Sequence, residues 1–520
     1  MSKHYDIAVI GGGINGCGIA RDAAGRGLSV LLCEQNDLAS GTSSASTKLI
    51  HGGLRYLEHY EFRLVRAALF ERETLWRMAP HIIRPLRFVL PRDPGMRPAW
   101  LLRLGLFLYD HLGGRKLLPG TRALNLSKDE AGQPLEGQAT RAFEYSDCWV
   151  DDARLVVLNA VDAAERGATI RTRTRVEKAW RKEDHWELTL RPVDGGPPLQ
   201  AQARILINAA GPWAGSILDE IVTEPTKPAA IRLVRGSHII VPRLFEHERA
   251  YIFQNDDQRI VFAIPYEGDF TLVGTTDIDH EGTPGEVEIS TEETDYLVQV
   301  ANNRFKRKIT TDDVLRAFSG VRPLYGSAET SAAQEVTRDY TLRLEVDGGS
   351  NPAQQSPTQQ DCAPLLSVLG GKITTYRKLA EQALDELQRF LPGVRPAWTA
   401  FSRLPGGEFP VGEIDELLTE LESDYSQMPK AMLSRMARAY GTRTKRLLNS
   451  SQTSQELGHH FGADLYQNEI EYLIEHEWAV TADDILWRRT KLGLHLDASE
   501  RGQVAEYLQR RKAVAPQSAA

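Results

Sequence analysis

The residues of this chain best suited to chemistry are cations held in glycine-bounded turns. Arg55 and Tyr56 follow His51-Gly52-Gly53-Leu54, Arg322 lies in Ser319-Gly320-Val321-Arg322-Pro323, and Lys372 follows Gly370-Gly371. None of them belongs to a periodic polar helix face. Arginine offers bidentate donors and lysine a point charge, so such turns can hold a phosphate dianion. A single loop arginine, taken alone, is more often a solvated surface charge. His51 and His238 could move a proton near neutral pH. An isolated histidine is more often structural, however, and His238 falls in the strand-like run His238-Ile239-Ile240-Val241. A cation such as Arg322 or Lys372 could instead stabilise a developing alkoxide electrostatically.

These side chains need elements to position them, and the N-terminus supplies the clearest. Asp6-Ile7-Ala8-Val9-Ile10 enters Gly11-Gly12-Gly13-Ile14-Asn15-Gly16, a small-residue helix follows, and Val30-Leu31-Leu32-Cys33 ends in Glu34. This is the grammar of a βαβ dinucleotide-binding unit. Gly11 permits the turn, Gly13 lets backbone approach a pyrophosphate, and Gly16 lets helix and strand pack closely. The helix N-terminus offers N–H groups and a positive dipole end. Glu34, near the expected spacing of about 20 residues, can accept from ribose hydroxyls. The fingerprint alone fits NAD as well as FAD.

Further along, Asn36 to Lys48 is rich in Ser and Thr, either a plain polar loop or one that hugs a cofactor. A helix is expected from about Glu61 to Met78 and another over Ala153–Arg166. Strands are expected at Ile205–Ile207, His238–Val241, Arg259–Ile264 and Phe270–Val273. Ile205 to Trp213 reads as a strand returning to the cofactor through a small-residue turn. The Gly/Pro/Gln-rich stretch 347–361 reads as a mobile surface loop. Leu365–Leu369 then runs into Gly370-Gly371-Lys372 and a second helix start. From about residue 400 the apolar spacing is helical, at Met428–Tyr440, Asn468–Glu477 and Ala482–Arg489. Glycine turns at both ends of the nucleotide-binding unit imply that other domains are inserted between its parts.

Composition bounds the answer. A chain of 520 residues suggests two to four domains. The net charge of −8 argues against a general nucleic-acid binder. Four scattered cysteines without CxxC or metal-ligand spacing read as reduced, buried, small apolar residues of an intracellular protein. The first strand starts too early to leave room for a signal peptide, and no apolar run of about 18 residues suggests a membrane span. Residues 61–116 interleave many arginines with Trp76, Phe88, Trp100, Phe107 and Tyr109. That segment fits either a core-packing helix pair with a solvated face or a surface lying in an anionic bilayer interface.

Several blocks together resemble the bacterial aerobic FAD-dependent glycerol-3-phosphate dehydrogenases. They are Ile10 to Asp22 with Arg26-Gly27, Ser43 to Leu57, Phe143-Glu144-Tyr145-Ser146-Asp147-Cys148-Trp149-Val150-Asp151-Asp152, Ser319 to Pro323, Gly370 to Ala380, and Ala482-Asp483-Asp484-Ile485-Leu486-Trp487-Arg488-Arg489. The resemblance implies FAD as cofactor, sn-glycerol 3-phosphate as substrate, dihydroxyacetone phosphate as product and a membrane quinone as acceptor. With no second nucleotide fingerprint beside the first, electrons leave to something other than nicotinamide. A related flavin oxidase passing electrons to oxygen is the alternative, and a non-catalytic scaffold or RNA-modifying flavoprotein is disfavoured by the net charge.

The implied fold is α/β, α+β overall. A Rossmann-like FAD domain of the glutathione reductase/D-amino-acid oxidase type would span 1–60, 145–230 and 355–400. An inserted antiparallel-sheet substrate or cap domain would take 61–144 and 231–354, and a helical C-terminal domain 401–520. Arg55, Tyr56, Thr275, Arg322 and Lys372 would bind substrate, with Arg322, Lys372, His51 or His238 catalytic. Ile10, Gly11, Gly13, Ile14, Asn15 and Gly16 would hold the pyrophosphate, and Glu34 the ribose. Thr42, Ser43, Ser44, Lys48, Leu49, Ile50 and His51 would line the cofactor's middle and ring, flanked by Ala210, Gly211 and Trp213. Val176 would meet the adenine. Gly371, Lys372, Ile373 and Thr374, at the second helix start, would face the flavin's pyrimidine edge, where a positive helix end favours the anionic reduced ring. The family implies a cytoplasmic enzyme attached peripherally to the inner face of the plasma membrane. A homodimer stays open.

Overall fold

In the computed structural model, the residues described are 3–514 apart from 93–96, 138, 224–230, 256, 258, 286, 326–338 and 347–361. The stretch 347–361, expected as a loop, lies outside them.

The N-terminal strand Lys3–Ile10 sits at the centre of a sheet. It pairs in parallel with Val30–Cys33 on one side and with Leu199–Asn208 on the other. Thr169–Arg171 extends one flank in parallel, and Leu365–Leu369 extends the other. Such strands are buried on both faces and therefore read as continuous apolar runs; Val30–Cys33 and Leu365–Leu369 are buried throughout. The helix Ile14–Gly25 crosses over between the first two strands and packs on Asp152–Glu165 and Tyr376–Glu386. Its small residues permit that approach. A Cβ on Gly18 would lie 2.7 Å from the Tyr376 ring, and one on Gly25 would overlap Trp398. The antiparallel hairpin Thr174–Arg181 and Trp186–Pro192 covers the other face through a second apolar cluster centred on the fully buried Trp186.

Among the described residues, a second sheet of ten strands, mostly antiparallel, stands beside the first. Its long strand Ile231–Pro242 pairs with Arg316–Tyr325, setting Val234 opposite Arg322 and His238 opposite Phe318. Helices Phe62–Met78 and Ala99–Leu112 cover one part of this sheet and Thr291–Arg304 another. From Ile414 onward the chain is helical and closes its own core around Leu421, Met432, Met436, Leu465, Ile470 and Leu473. The expected Ala482–Arg489 helix is present, and widens into a six-residue wide turn over Asp484–Arg489.

Sheet membership shifts two expected boundaries. Thr341–Glu345, placed by sequence in the inserted region, pairs antiparallel with Leu365–Leu369 and so belongs to the first sheet. Conversely Arg141–Val150 lies in the second sheet along its whole length, and Leu49–Ile50 pairs onto it at Trp149 and Cys148. Strand pairing across distant segments, invisible in local composition, decides both.

Candidate active site

A cavity of about 510 Å³ runs between the two sheets. The first glycine turn forms one end of it. Gly11 adopts φ +113°, and a Cβ there would meet the Ala209 carbonyl oxygen at 2.6 Å. A Cβ on Gly16 would lie 1.9 Å from the Gly11 carbonyl oxygen, whereas one on Gly13 would meet only the Ser43 hydroxyl. Gly11 and Gly16 are therefore glycine for packing, and Gly13 keeps the backbone accessible from the cavity. The Ile14 N–H donates to Ser43 Oγ at 3.0 Å, which brings the Thr42–Ser44 turn against the helix N-terminus. Thr42 in turn donates to the Val321 carbonyl at 2.6 Å. Glu34 accepts from the Gly12 and Asn36 N–H groups, both at 2.7 Å. Burial pushes its carboxyl above the ordinary range, and those two N–H bonds oppose the shift. Val176, Ala210, Gly211 and Trp213 line the same end.

The second glycine turn meets the first although the chain separates them widely. Asn15 Nδ2 lies 3.4 Å from the Gly370 carbonyl, a contact spanning 355 residues. Gly371 and Lys372 lead into Ile373–Thr375 and then the helix Tyr376–Glu386. The His51 N–H donates to Thr374 Oγ1 at 3.3 Å, so the loop after Leu49–Ile50 is laced to this helix start. Lys372 Nζ sits 3.7 Å from the centre of the Tyr56 ring. Across from them Arg322, expected in a glycine-bounded turn, projects instead from the strand Arg316–Tyr325, whose pairing with Ile231–Pro242 runs through Gly320. Its guanidinium is held by Asp277 and, at 3.0 Å, by Thr275 Oγ1. Gly236 makes room for it, since a Cβ there would lie 2.4 Å from Arg322 Nη2. Behind Thr275, the buried Glu293 accepts from Ser237 and Thr276 at 2.8 and 2.6 Å and pairs with Arg235. This end of the cavity is thus cationic, apolar-walled by Phe262 and built from side chains.

Most of the expected set lines this one cavity: Ile10, Gly11, Gly13, Ile14, Asn15, Glu34, Thr42, Ser43, Leu49, His51, Tyr56, Val176, Ala210, Gly211, Trp213, Thr275, Arg322, Gly371, Lys372, Ile373 and Thr374. Gly16, Ser44, Lys48, Ile50, Arg55 and His238 are not among its lining residues. Lys48, expected along the cofactor, turns away: its buried ammonium lies 2.9 Å from Asp152 and from the Ser44 carbonyl. Arg55 stands on the turn Leu54–His59 beside Tyr56. His238 is fully buried, stacked at 5.0 Å on Phe318, and touches Thr47 Oγ1 at 3.0 Å. Burial, then Arg322 and Lys48, hold its pKa well below the usual value, so the ring is neutral. A proton-transfer role for His238 would have to pass through Thr47, which does line the cavity.

Residues whose roles sequence reading left unassigned support this end. Asp147 accepts from Tyr109 at 2.8 Å and from Arg72 at 2.7 Å, and Tyr109 also receives the Gly52 N–H at 2.8 Å. Asp151 caps the helix Asp152–Glu165 by accepting the Arg154 N–H at 3.1 Å. The acids of the Asp147 to Asp152 block therefore brace the 48–52 loop from behind. Their clustering was visible in the sequence, but their partners were not.

A dinucleotide turn at one end and a cationic chamber at the other fit a flavin-dependent oxidoreductase. The family model described as FAD dependent oxidoreductase matches residues 6–344, and the one described as C-terminal domain of alpha-glycerophosphate oxidase matches 397–511. The cavity suits FAD: Gly13 brings bare backbone and a helix start to its wall, where a pyrophosphate could approach closely, and the second helix start closes the far side. Within that class the chain belongs to the glycerol-3-phosphate dehydrogenase family. It is 54% identical over 98% of its length to a glycerol-3-phosphate dehydrogenase of Pseudomonas aeruginosa, covering 96% of that protein. It is 51% identical, again over 98% of its length and 99% of the relative's, to a D-erythritol 1-phosphate dehydrogenase of Brucella abortus. Among solved structures, the glycerol-3-phosphate dehydrogenase of Bacillus halodurans complexed with FAD superposes with a TM-score of 0.74 at 25% identity, over 100% of this chain and 97% of that one.

Proposed function

We propose that this enzyme oxidises sn-glycerol 3-phosphate at C2 to dihydroxyacetone phosphate and passes the electrons to a membrane quinone. One observation carries the reading: Arg322, Lys372, Tyr56 and His51, from distant parts of the chain, line the cavity that the glycine turn begins. FAD, when bound, supplies the hydride acceptor. The chain's own residues bind and orient. Lys372 and Tyr56 take the phosphate as point charge and hydroxyl donor, with Arg55 adding positive charge from the same turn. Arg322, fixed by Asp277 and Thr275, faces the C2 oxygen and stabilises its developing negative charge. His51 is the histidine on the cavity wall and accepts the hydroxyl proton. His238, enclosed and neutral, holds Thr47 in place.

The quinone reading draws on one surface. On the helix Ala99–Leu112, Trp100, Leu104 and Phe107 point outward at helical spacing, with Trp100 69% exposed. Apolar rings of this kind beside Arg103 suit an anionic bilayer interface. No described helix is long and apolar enough to cross a membrane, so attachment would be peripheral, at the inner face of the plasma membrane. Residues 93–96 of the basic segment lie outside the described set.

Anaerobic titration tests the substrate. The yellow protein bleaches with sn-glycerol 3-phosphate and not with glycerol; bleaching faster with D-erythritol 1-phosphate would reassign the substrate while keeping the chemistry. Re-oxidation by a short-chain quinone without peroxide supports the acceptor, and stoichiometric peroxide from oxygen would replace it with the oxidase reading. Replacing Trp100 and Phe107 by Glu should release the enzyme from membranes with dye-linked activity unchanged. Retention of that variant on membranes would remove this helix as the anchor.

A further inference from the structure

The C-terminal helical domain has no part in the chemistry above, yet one of its segments reaches the dinucleotide wall. In the wide turn Asp484–Arg489 the Thr490 N–H bonds to the Ile485 carbonyl at 2.9 Å, five residues back. Wide turns of this kind are uncommon and often mark functional positions. Here two adjacent arginines converge on a single carboxylate. Arg489 donates to both oxygens of Asp37, at 2.7 and 2.8 Å, and Arg488 Nε adds a third bond at 2.6 Å. Asp37 and Arg489 are buried almost completely.

Asp37 stands within the cofactor wall. It follows Glu34, and the Ser40 N–H bonds to its carbonyl at 3.2 Å. The neighbouring Ala39 N–H bonds to the Gly12 carbonyl at 3.1 Å, and Leu38 packs against Gly12 itself. The same C-terminal turn grips the opposite side of this end. Asp484 accepts from Arg173 at 2.8 Å, and Arg173 holds the Asn36 carbonyl through its N–H at 2.9 Å. Thr174, next in the chain, bonds the Glu34 carbonyl at 2.8 Å and lines the cavity. Four further donors, the N–H groups of Val480 and Thr481, the Thr481 hydroxyl and Arg488, also satisfy Asp484. Against its burial, the two N–H bonds and the charges of Arg488 and Arg173 hold its carboxyl down at about 2.

We propose that Arg488, Arg489 and Asp484 are positioning residues for the adenosine half of FAD, making the docked C-terminal domain a structural part of the cofactor site. Backbone bonds from Ala39, Arg173 and Thr174 hold the rest of this wall, and among the described residues Arg488 and Arg489 are the cations that bind the Asp37 carboxylate. Linkage then requires reciprocity: FAD must tighten C-terminal docking as much as docking tightens FAD.

The test uses full-length apoprotein reconstituted with FAD. Asp37→Asn and Arg488→Gln should each weaken FAD binding by about tenfold or more, with KM for the phosphate substrate and, at saturating FAD, kcat near wild type. Arg489→Lys should recover part of the loss seen in Arg489→Gln. Arg435→Gln is the control: it disrupts the pair between half-buried Arg435 and buried Glu469 in the C-terminal domain, with neither residue in the cavity lining, and should lower thermal stability without moving the FAD constant. Wild-type FAD affinity in Asp37→Asn and Arg488→Gln overturns the proposal, and so does an equal loss in Arg435→Gln. If the variants fail to fold, hydrogen exchange on the wild type decides. Slower exchange over 481–491 on adding FAD supports coupling, and unchanged exchange overturns it. Gly13→Val separates the premise from the proposal, because retention of FAD in that variant would instead displace the dinucleotide from this cleft.

Discussion

The two ends of the cavity are made from different material. At the Gly11–Gly16 end the shape is set by backbone, whose path follows from steric limits that only glycine meets at Gly11 and Gly16, with Glu34 and Ser43 bonded directly to it. At the Arg322–Lys372 end the polar groups are long side chains, each held by partners from other segments: Asp277 and Thr275 for Arg322, Tyr56 for Lys372. A backbone site fails by overlap, all at once. A side-chain site fails by losing a charge, one contribution at a time. On the proposed roles, cofactor binding and chemistry should therefore separate by mutation, and the separation can be tested.

The largest effect should come from Gly16→Val, whose side chain would run into the Gly11 carbonyl. We expect protein that retains no flavin by absorbance, since the backbone must move where the cofactor binds. Flavin retained in Gly16→Val would erase the distinction between the ends. Next is Arg322→Ala, expected to keep FAD and lose about 10³-fold in kcat/KM, the scale seen when a group stabilising a developing oxyanion is removed. Lys372→Met should be milder, losing about 2 kcal/mol or roughly thirtyfold, chiefly in KM, because it removes one charged contact to the phosphate. Loss of flavin in either variant would show that the chemistry end also holds the cofactor.

The smallest effect lies at the seam that neither end includes. His81 is buried between the helix Phe62–Met78 and the C-terminal domain, its ring lying against Phe409. Burial, and the nearby Arg154 and Arg443, lower its pKa from 6.5 to about 3. The unfolded chain therefore binds a proton below pH 6.5 that the folded protein refuses. Stability should fall as pH drops through that window, by about 1.4 kcal/mol per pH unit for this group. Thermal melts of His81→Gln between pH 7 and 4 should show a shallower decline than wild type. An unchanged slope would assign the acid sensitivity to other groups.

The contrast also explains what could be read without coordinates. The glycine turn, its strand and Glu34 were legible because each residue type is required locally, by φ, by close approach or by strand burial. Lys372 was legible as a cation in an unusual turn, Arg322 was read into a turn although strand pairing holds it, and the convergence of the two was not legible. His51 and His238 were both candidates as sequence, with His238 set apart only by its strand-like run. The fold separated them, placing one on the cavity wall and the other behind Thr47 against Phe318. Lys48 read as a cofactor contact because its neighbours are hydroxyl-rich, yet Asp152 claims it.

The sequence by itself determined the dinucleotide fingerprint, the apolar strands of the parallel sheet and the helical character of the last hundred residues, because local sterics and periodicity govern each of them. Tertiary structure alone decided which cations share a chamber, which histidine meets it, and that Arg488 and Arg489 close on Asp37 from the far end of the chain. Those outcomes depend on pairing between segments hundreds of residues apart, where the free energy lies in burial and charge compensation that no local pattern records.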